Sequence, residues 1–74
     1  MNIKDIVNIS PERMSGAPCF TGTRVPVEFL FEHLEKRETL DEFLNQFPSV
    51  KREQALAALR LSKEFLLANH EIAA

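Results

Sequence analysis

Residues 39–62, TLDEFLNQFPSVKREQALAALRLS, decide the fold of this chain because they combine two helix signals with a short break between them. Thr39 and Glu42 have the spacing of a capping box, in which each side chain bonds the backbone N–H of the other residue. Pro48 ends the helix that Thr39 caps, since the residue before a proline avoids helical geometry. The apolar residues between these signals recur at i, i+3, i+4 and i+7, the spacing of one helix face: Leu40, Phe43, Leu44 and Phe47.

A longer helix is predicted after this break. It starts near residues 49–52 and runs to about Asn69, because no Gly or Pro interrupts it. With Lys51 as the N-cap, Gln54 is the N3 partner, although lysine is a poor cap. One narrow face of this helix carries Ala55, Leu59, Ser62 and Leu66. A second apolar face, rotated from the first, carries Leu61, Phe65, Ala68 and Ile72.

A short capped helix, a four-residue connection and a longer helix together have the layout of a helix-turn-helix. In this motif the N-terminus of the second helix meets base edges in the major groove, which predicts DNA contacts for Lys51 and Arg52. Arg60 and Lys63 lie farther along, where phosphate contacts are expected. The plainer alternative is an ordinary pair of packed helices whose lysines and arginines fill a solvated face.

One more helix is predicted upstream, over residues 26–36. Pro26 fits the first helical position, where its missing N–H is no loss, and Lys36 and Arg37 suit the negative end of the helix dipole. His33 is interpreted as a surface histidine of this amphipathic helix. The apolar positions again lie on one face: Val27, Leu30, Phe31 and Leu34.

The segment before this helix is predicted to form a β-arm. Residues 3–9, IKDIVNI, favour a short strand, or an arm that becomes a strand on pairing. Residues 17–25 favour a tight hairpin or bent arm with its turn at residues 21–23. Gly22 can take the positive φ that such turns often demand.

The chain is thus expected to be a single, mainly α domain: a three-helix helix-turn-helix region over residues 26–74 after an N-terminal β-arm or hairpin over residues 1–25. Folds of this size usually need a disulfide, a metal or another subunit. Cys19, the only cysteine, cannot form an intrachain disulfide and is expected to be a small buried hydrophobe. His33 and His70 lack zinc-ligand spacing, so no metal or cofactor is expected. A second copy paired through the arm, or another protein, is the expected supplement.

Charge and composition narrow the function classes. The formal net charge of −2 argues against a strong non-specific nucleic-acid binder, although residues 49–63 carry four basic residues against Glu53 alone. No apolar run approaches the roughly 20 residues of a membrane span, and the start lacks the apolar run of a signal peptide, so a reducing cytoplasm is the expected location. No nucleophile–base pair or phosphate-cradling loop points to an enzyme.

A combination of motifs resembles the family known as domain of unknown function 433. Gly16-x-Pro18 is followed by Thr21-Gly22-Thr23-Arg24-Val25-Pro26-Val27, then by TLDEFLNQFP and by REQALAALR. The likeness extends over roughly residues 10–67. Arg37 and Lys51 depart from it, since the family often has glycine at the end of the first helix and Ser or Thr as the cap of the third.

The resemblance implies a homeodomain-like helix-turn-helix module that acts as the antitoxin of a bacterial type II toxin–antitoxin pair. Its usual partner is a PIN-like ribonuclease toxin, which it blocks. Repression of their shared operon, by the antitoxin together with the toxin, through binding of operator DNA by the helix-turn-helix, is a further expectation that the resemblance raises. The alternative is a dimerisation or interaction module that contacts protein only.

Two sets of residues are predicted to bind partners. Arg24 lies beside the turn and could reach a phosphate, a carboxylate or a carbonyl; alternatively it holds the arm to the first helix through Glu28. The second apolar face of the last helix, formed by Leu61, Phe65, Ala68 and Ile72, is expected to dock the toxin or a second subunit. The alternative is that the arm folds back over this face.

Overall fold

The computed structural model describes residues 2–9 and 16–69, which contain four helices and a two-stranded antiparallel sheet. In chain order the elements are α1 (Ile3–Ile6), β1 (Val7–Asn8), β2 (Cys19–Phe20), α2 (Glu28–Glu35), α3 (Leu40–Gln46) and α4 (Arg52–Ala68). The predicted mainly helical fold with a small N-terminal hairpin is confirmed. The single-turn helix α1 adds to the three predicted helices.

The prediction of a strand over residues 3–9 is wrong for its first half. Ile3–Ile6 is a helical turn because Asn2 caps it: the Asn2 side chain accepts a hydrogen bond from the Lys4 N–H at 3.1 Å, and the Asp5 carboxylate accepts one from the Asn2 N–H at 3.0 Å. This capping box satisfies two N–H groups that would otherwise lack partners. The local bonds outweigh the strand preference of the β-branched residues.

The sheet joins β1 to β2, with Val7 opposite Phe20 and Asn8 opposite Cys19. Two residues in each strand would be unstable alone, but both β2 side chains are buried, Cys19 at 4% and Phe20 at 0% exposure. The Cys19 thiol contacts the Ala17 carbonyl at 3.5 Å. The prediction of a small buried hydrophobe at this position is confirmed.

The chain turns again at residues 21–23, as predicted. The Phe20 N–H donates to the Val25 carbonyl at 3.0 Å. The Thr23 hydroxyl donates to the Phe20 carbonyl at 2.8 Å and accepts from the Val25 N–H at 3.0 Å. Gly22 has a φ of 81°, which a residue with a side chain rarely adopts. Glycine and the Thr23 hydroxyl together fix the shape of this turn.

Helix α2 begins at Glu28, later than the sequence predicted. Pro26 forms an isolated antiparallel bridge with Cys19 instead of the first helical position, and Val27 is the N-cap. The Val27 N–H still donates to the Pro18 carbonyl at 2.9 Å, across the hairpin that β2 forms with Pro26. The Val27 backbone already has helical angles, with φ −59° and ψ −34°.

Helix α2 ends in a Schellman motif with an arginine at the left-handed position. Arg37 has a φ of 66°. The Glu38 N–H donates to the His33 carbonyl and the Arg37 N–H donates to the Leu34 carbonyl, both at 3.0 Å, which is the hydrogen-bond pattern of this motif. Glycine adopts this conformation without the steric cost that arginine bears.

The two predicted helix starts downstream are confirmed. The Thr39 hydroxyl accepts from the Glu42 N–H, and the Glu42 carboxylate accepts from the Thr39 N–H, both at 3.1 Å. Lys51 is the N-cap of α4, and its N–H donates to the Gln54 side-chain oxygen at 3.0 Å. Because an ammonium group cannot accept a hydrogen bond, α4 has only this half of a capping box.

The hydrophobic core is shared between the N-terminal segment and the helices. The Phe20 and Phe43 rings lie 6.2 Å apart, which joins β2 to α3. In the part of the chain that the structure describes, the N-terminal segment therefore packs on its own helices. The large side chains that are essentially fully buried are Ile6, Phe20, Leu30 and Phe43.

His33 is half-buried, and its interpretation as a surface histidine is wrong. Its side chain is 16% exposed. The ring packs edge-on against Phe43 and Phe47, with centroid distances of 5.4 and 5.5 Å. The histidine therefore belongs to the contact between α2 and α3.

Candidate interaction surface on the last helix

Helix α4 has two halves that differ in burial. The buried residues are all in its first half: Gln54, Ala55, Ala57 and Ala58. Leu59 and Ser62 are intermediate, and the Ser62 hydroxyl donates to the Ala58 carbonyl of the same helix at 2.9 Å. The second half carries large apolar side chains that remain in contact with solvent: Leu61 (37% exposed), Phe65 (66%), Leu66 (68%) and Leu67 (63%).

The exposed surface continues the face that is buried in the first half. At roughly 100° per residue, Phe65 lies within about 20° of both Gln54 and Ala58 around the helix axis. The helix thus continues past the end of the core, and its apolar face continues with it. Leu66 is rotated by about 100° from Phe65, so the exposed apolar surface extends around the helix.

The predicted partner-binding face is exposed over the residues that the structure describes. Leu61, Phe65 and Ala68 are all exposed, and Ile72 lies outside the described residues. The N-terminal segment does fold back onto α4, but at its other end: Gln54 donates through Nε2 to the carbonyl of Asp5 at 3.1 Å.

Sequence reasoning missed Leu66 as part of this surface. The pattern assigned Leu66 to the narrow face with Ala55, Leu59 and Ser62, of which Ala55 is buried and the next two are intermediate. The signal was present in the run Phe-Leu-Leu-Ala at residues 65–68, because four consecutive apolar residues extend around the whole helix. We call Leu61, Phe65 and Leu66 the apolar tip of α4.

The four predicted DNA-binding residues, Lys51, Arg52, Arg60 and Lys63, are all exposed. Arg52, Arg60 and Lys63 fall within about 80° around α4, on the side opposite Phe65. The Arg52 guanidinium forms an ion pair with the carboxylate of Asp41 in α3. Three of the four residues therefore lie on one side of α4, and one of these three, Arg52, is paired with a carboxylate.

Comparison with known protein families decides the affiliation of the chain. The family described as "Protein of unknown function (DUF433)" matches residues 7–61. The chain belongs to this family. Comparison of the chain with curated proteins and with solved structures found no match. The DUF433 match contains both strands, α2, α3 and the first half of α4, and it ends at Leu61, so Phe65 and Leu66 lie beyond it.

The turn within the DUF433 match gives nearly every side chain a structural role. The Thr21 hydroxyl donates to the Lys4 carbonyl at 2.6 Å, Thr23 closes the turn, and Val25 is 9% exposed and joins the core. Arg24 is exposed, and in residues 2–9 and 16–69 no ion pair or hydrogen bond joins it to Glu28. The alternative prediction, in which Arg24 holds the N-terminal segment to α2 through Glu28, is therefore wrong. The exposed Arg24 side chain belongs to a hydrogen-bonded turn.

The described part of the chain was also searched for metal-binding groups and for membrane-spanning helices. It contains no group of three or more His, Cys, Asp or Glu residues that could hold a metal ion. None of its helices is both long and apolar enough to cross a membrane.

Proposed function

We propose that this protein is the antitoxin of a type II toxin–antitoxin pair and neutralises a PIN-like ribonuclease by direct binding in the cytoplasm. The observation that carries the proposal is the apolar tip of α4, where Phe65 and Leu66 are about two-thirds exposed. The family resemblance supplies the class of partner, and the apolar tip supplies the means of contact. Contiguous exposed apolar side chains typically mark a protein interface.

The geometry of the apolar tip favours a groove over a flat partner surface. Phe65 and Leu66 point about 100° apart, so one flat surface cannot cover both. Burying an exposed Leu or Phe side chain is worth roughly 1.5–3 kcal/mol. Leu61 and Phe65 have the i, i+4 spacing that helix-in-groove recognition uses.

Arg24 is proposed as a second contact with the nuclease. Its backbone is held on both sides by the Thr23 hydrogen bonds to Phe20 and Val25, so the guanidinium is presented from an ordered turn. A guanidinium binds carboxylates in a bidentate manner, which suits an acidic nuclease surface.

Binding of operator DNA is a second proposal, supported by the basic side of α4. Because Arg52, Arg60 and Lys63 lie opposite Phe65 around the helix, one helix can contact DNA and a protein simultaneously. The net charge of −2 and the Asp41 partner of Arg52 weigh against DNA. They favour the alternative, a module that binds protein only.

Homodimerisation through the N-terminal segment is a further part of the proposal. Within the described residues β1 pairs with β2 alone, which leaves its other edge without a strand. Ile9, immediately after β1, is 63% exposed. An unpaired edge beside an apolar side chain suits pairing with a second copy across a two-fold axis.

Binding to the nuclease encoded beside this gene tests the first proposal. We expect Phe65→Asp and Leu66→Asp each to weaken binding by at least tenfold, about 1.4 kcal/mol. Leu56→Asp is the matched control, since Leu56 is 43% exposed on the basic side of the same helix. Failure of the unaltered protein to bind and inhibit the nuclease would refute the antitoxin proposal.

A mobility-shift titration with the DNA upstream of the operon tests the second proposal, the binding of operator DNA. Arg60→Ala and Lys63→Ala should each reduce the slope of log affinity against log salt by about 0.9 if they contact phosphates. A complete lack of shift at low salt, with and without the nuclease, would favour the protein-only module.

A further inference from the structure

His33 has hydrogen-bond acceptors at both ring nitrogens. Its Nδ1 lies 2.7 Å from the Phe29 carbonyl oxygen, and its Nε2 lies 3.0 Å from the side-chain oxygen of Gln46. A carboxylate oxygen of Glu38 lies 3.3 Å from the same Nε2. A neutral imidazole carries one N–H and can serve only one of these sides, whereas the imidazolium serves both.

The groups around this histidine come from three parts of the fold. Phe29 and Lys36 belong to α2 and its C-cap, Glu38 belongs to the α2–α3 connection, and Gln46 belongs to α3. The groups of α3 and its C-cap that face the ring are Gln46, Phe43 and Phe47, none of which titrates. The facing charges are therefore the carboxylate of Glu38, which favours a protonated ring, and the ammonium of Lys36, which opposes it.

We propose that His33 is a proton-dependent latch between α2 and α3. In its charged form it bonds the Phe29 carbonyl within α2 and, at the same time, Gln46 and Glu38. When the ring loses a proton and keeps the Nδ1 hydrogen, the Nε2 lone pair faces the Glu38 carboxylate. Rotation of the Gln46 amide can give Nε2 a donor, but it leaves the repulsion from Glu38 in place.

The direction of the pH dependence follows from these contacts. The hydrogen bond to the Phe29 carbonyl is the main cause that raises the pKa of His33 above its usual 6.5, followed by the hydrogen bond to Gln46 and the charge of Glu38; desolvation and Lys36 lower it. Because the pKa of the folded state is raised, the latch stabilises the fold fully below pH 6.5. That stabilisation is lost as the pH rises through the folded-state pKa.

A ring titration by NMR on the full chain tests the proton assignment. His70 is the only other histidine, so His70→Gln leaves one imidazole to follow. We expect the His33 pKa to lie above 6.5 and to fall in Glu38→Gln. Glu35→Gln is the matched control, since it removes an exposed carboxylate of α2 that does not bond the ring, and we expect no shift. A His33 pKa at or below 6.5, or one unchanged by Glu38→Gln, would overturn the proposal.

Urea unfolding at several pH values tests the latch itself. In the unaltered protein the unfolding midpoint should fall as the pH rises from 6 towards 8, and in His33→Gln this fall should be absent. Persistence of the same fall in His33→Gln would also overturn the proposal. If His33→Gln does not fold, the Glu38→Gln titration remains decisive, since it leaves His33 in place. None of these outcomes depends on the proposed antitoxin function.

Discussion

The side-chain amide of Gln54 in α4 donates a hydrogen bond at 3.1 Å to the main-chain carbonyl of Asp5, 49 residues earlier in the chain. The same nitrogen donates to the Thr21 carbonyl at 3.0 Å, and the side-chain oxygen accepts from the Lys51 N–H at 3.0 Å. Gln54 is only 5% exposed. One buried amide therefore connects the N-terminal helical turn, the hairpin turn and the start of α4.

Replacement of the Gln54 amide should destabilise the fold. We expect Gln54→Leu to lower the free energy of unfolding by about 1–3 kcal/mol, because two carbonyls and one N–H lose the partner that they have in partly buried hydrogen bonds. Urea unfolding followed by circular dichroism measures the change. Glu53→Leu, at the exposed neighbouring position, should change stability by less than about 0.5 kcal/mol. Equal effects of the two substitutions would contradict the assigned role of Gln54.

The left-handed residue at the end of α2 offers a stabilising substitution. Arg37→Gly should raise the free energy of unfolding by about 0.5–1 kcal/mol, since glycine avoids the steric cost at a φ of 66° but is more flexible when unfolded. The melting temperature should rise by roughly 2–8 °C for a domain of this size. Lys36→Gly, one residue earlier at a φ of −85°, should lower stability instead. A destabilising Arg37→Gly would mean that the arginine side chain makes a compensating contact.

The N-cap of α4 can be improved. Lys51 has extended backbone geometry, with φ −82° and ψ 144°, but no side-chain acceptor for the Gln54 N–H. Lys51→Ser should therefore stabilise the protein by about 1 kcal/mol, measured by thermal unfolding. Lys63→Ser, which removes a lysine from inside the same helix, should not be stabilising. If Lys51 also contacts DNA, Lys51→Ser will bind operator less tightly although it is more stable.

Two phenylalanines separate the roles of core and apolar tip. Phe43 is 0% exposed and Phe65 is 66% exposed. Phe43→Ala should lower the free energy of unfolding by about 3–5 kcal/mol, because it removes a fully buried ring and leaves a cavity. Phe65→Ala should change it by less than about 0.5 kcal/mol. A large loss of stability in Phe65→Ala would assign that ring to internal packing.

The sequence predicted best those features that depend on neighbouring residues. The Thr39–Glu42 capping box and the helix end before Pro48 need only local spacing, and both are present. Asn2 and Asp5 carried the same kind of capping signal for α1, but the β-branched residues beside them favoured a strand. At these residues a specific pair of capping hydrogen bonds outweighs the strand propensity of β-branched side chains.

Other features could not be read from spacing because their partners are distant in sequence. The role of Gln54 depends on carbonyls of the N-terminal segment, and the burial of His33 depends on α3 packing against its ring. Leu66 repeated at helical spacing with Ala55 and Leu59, yet it is exposed because the core ends before it. Periodicity indicates which residues share a face but does not tell how far along the helix that face is covered.

The end of the core midway along α4 also has a calorimetric consequence. Leu61, Phe65 and Leu66 keep much of their hydration in the free protein, so unfolding gains less heat capacity from these side chains than from buried ones of the same type. A partner that closes over the apolar tip removes that hydration, and the heat capacity falls on association. The thermal signature of these three side chains therefore belongs mainly to complex formation.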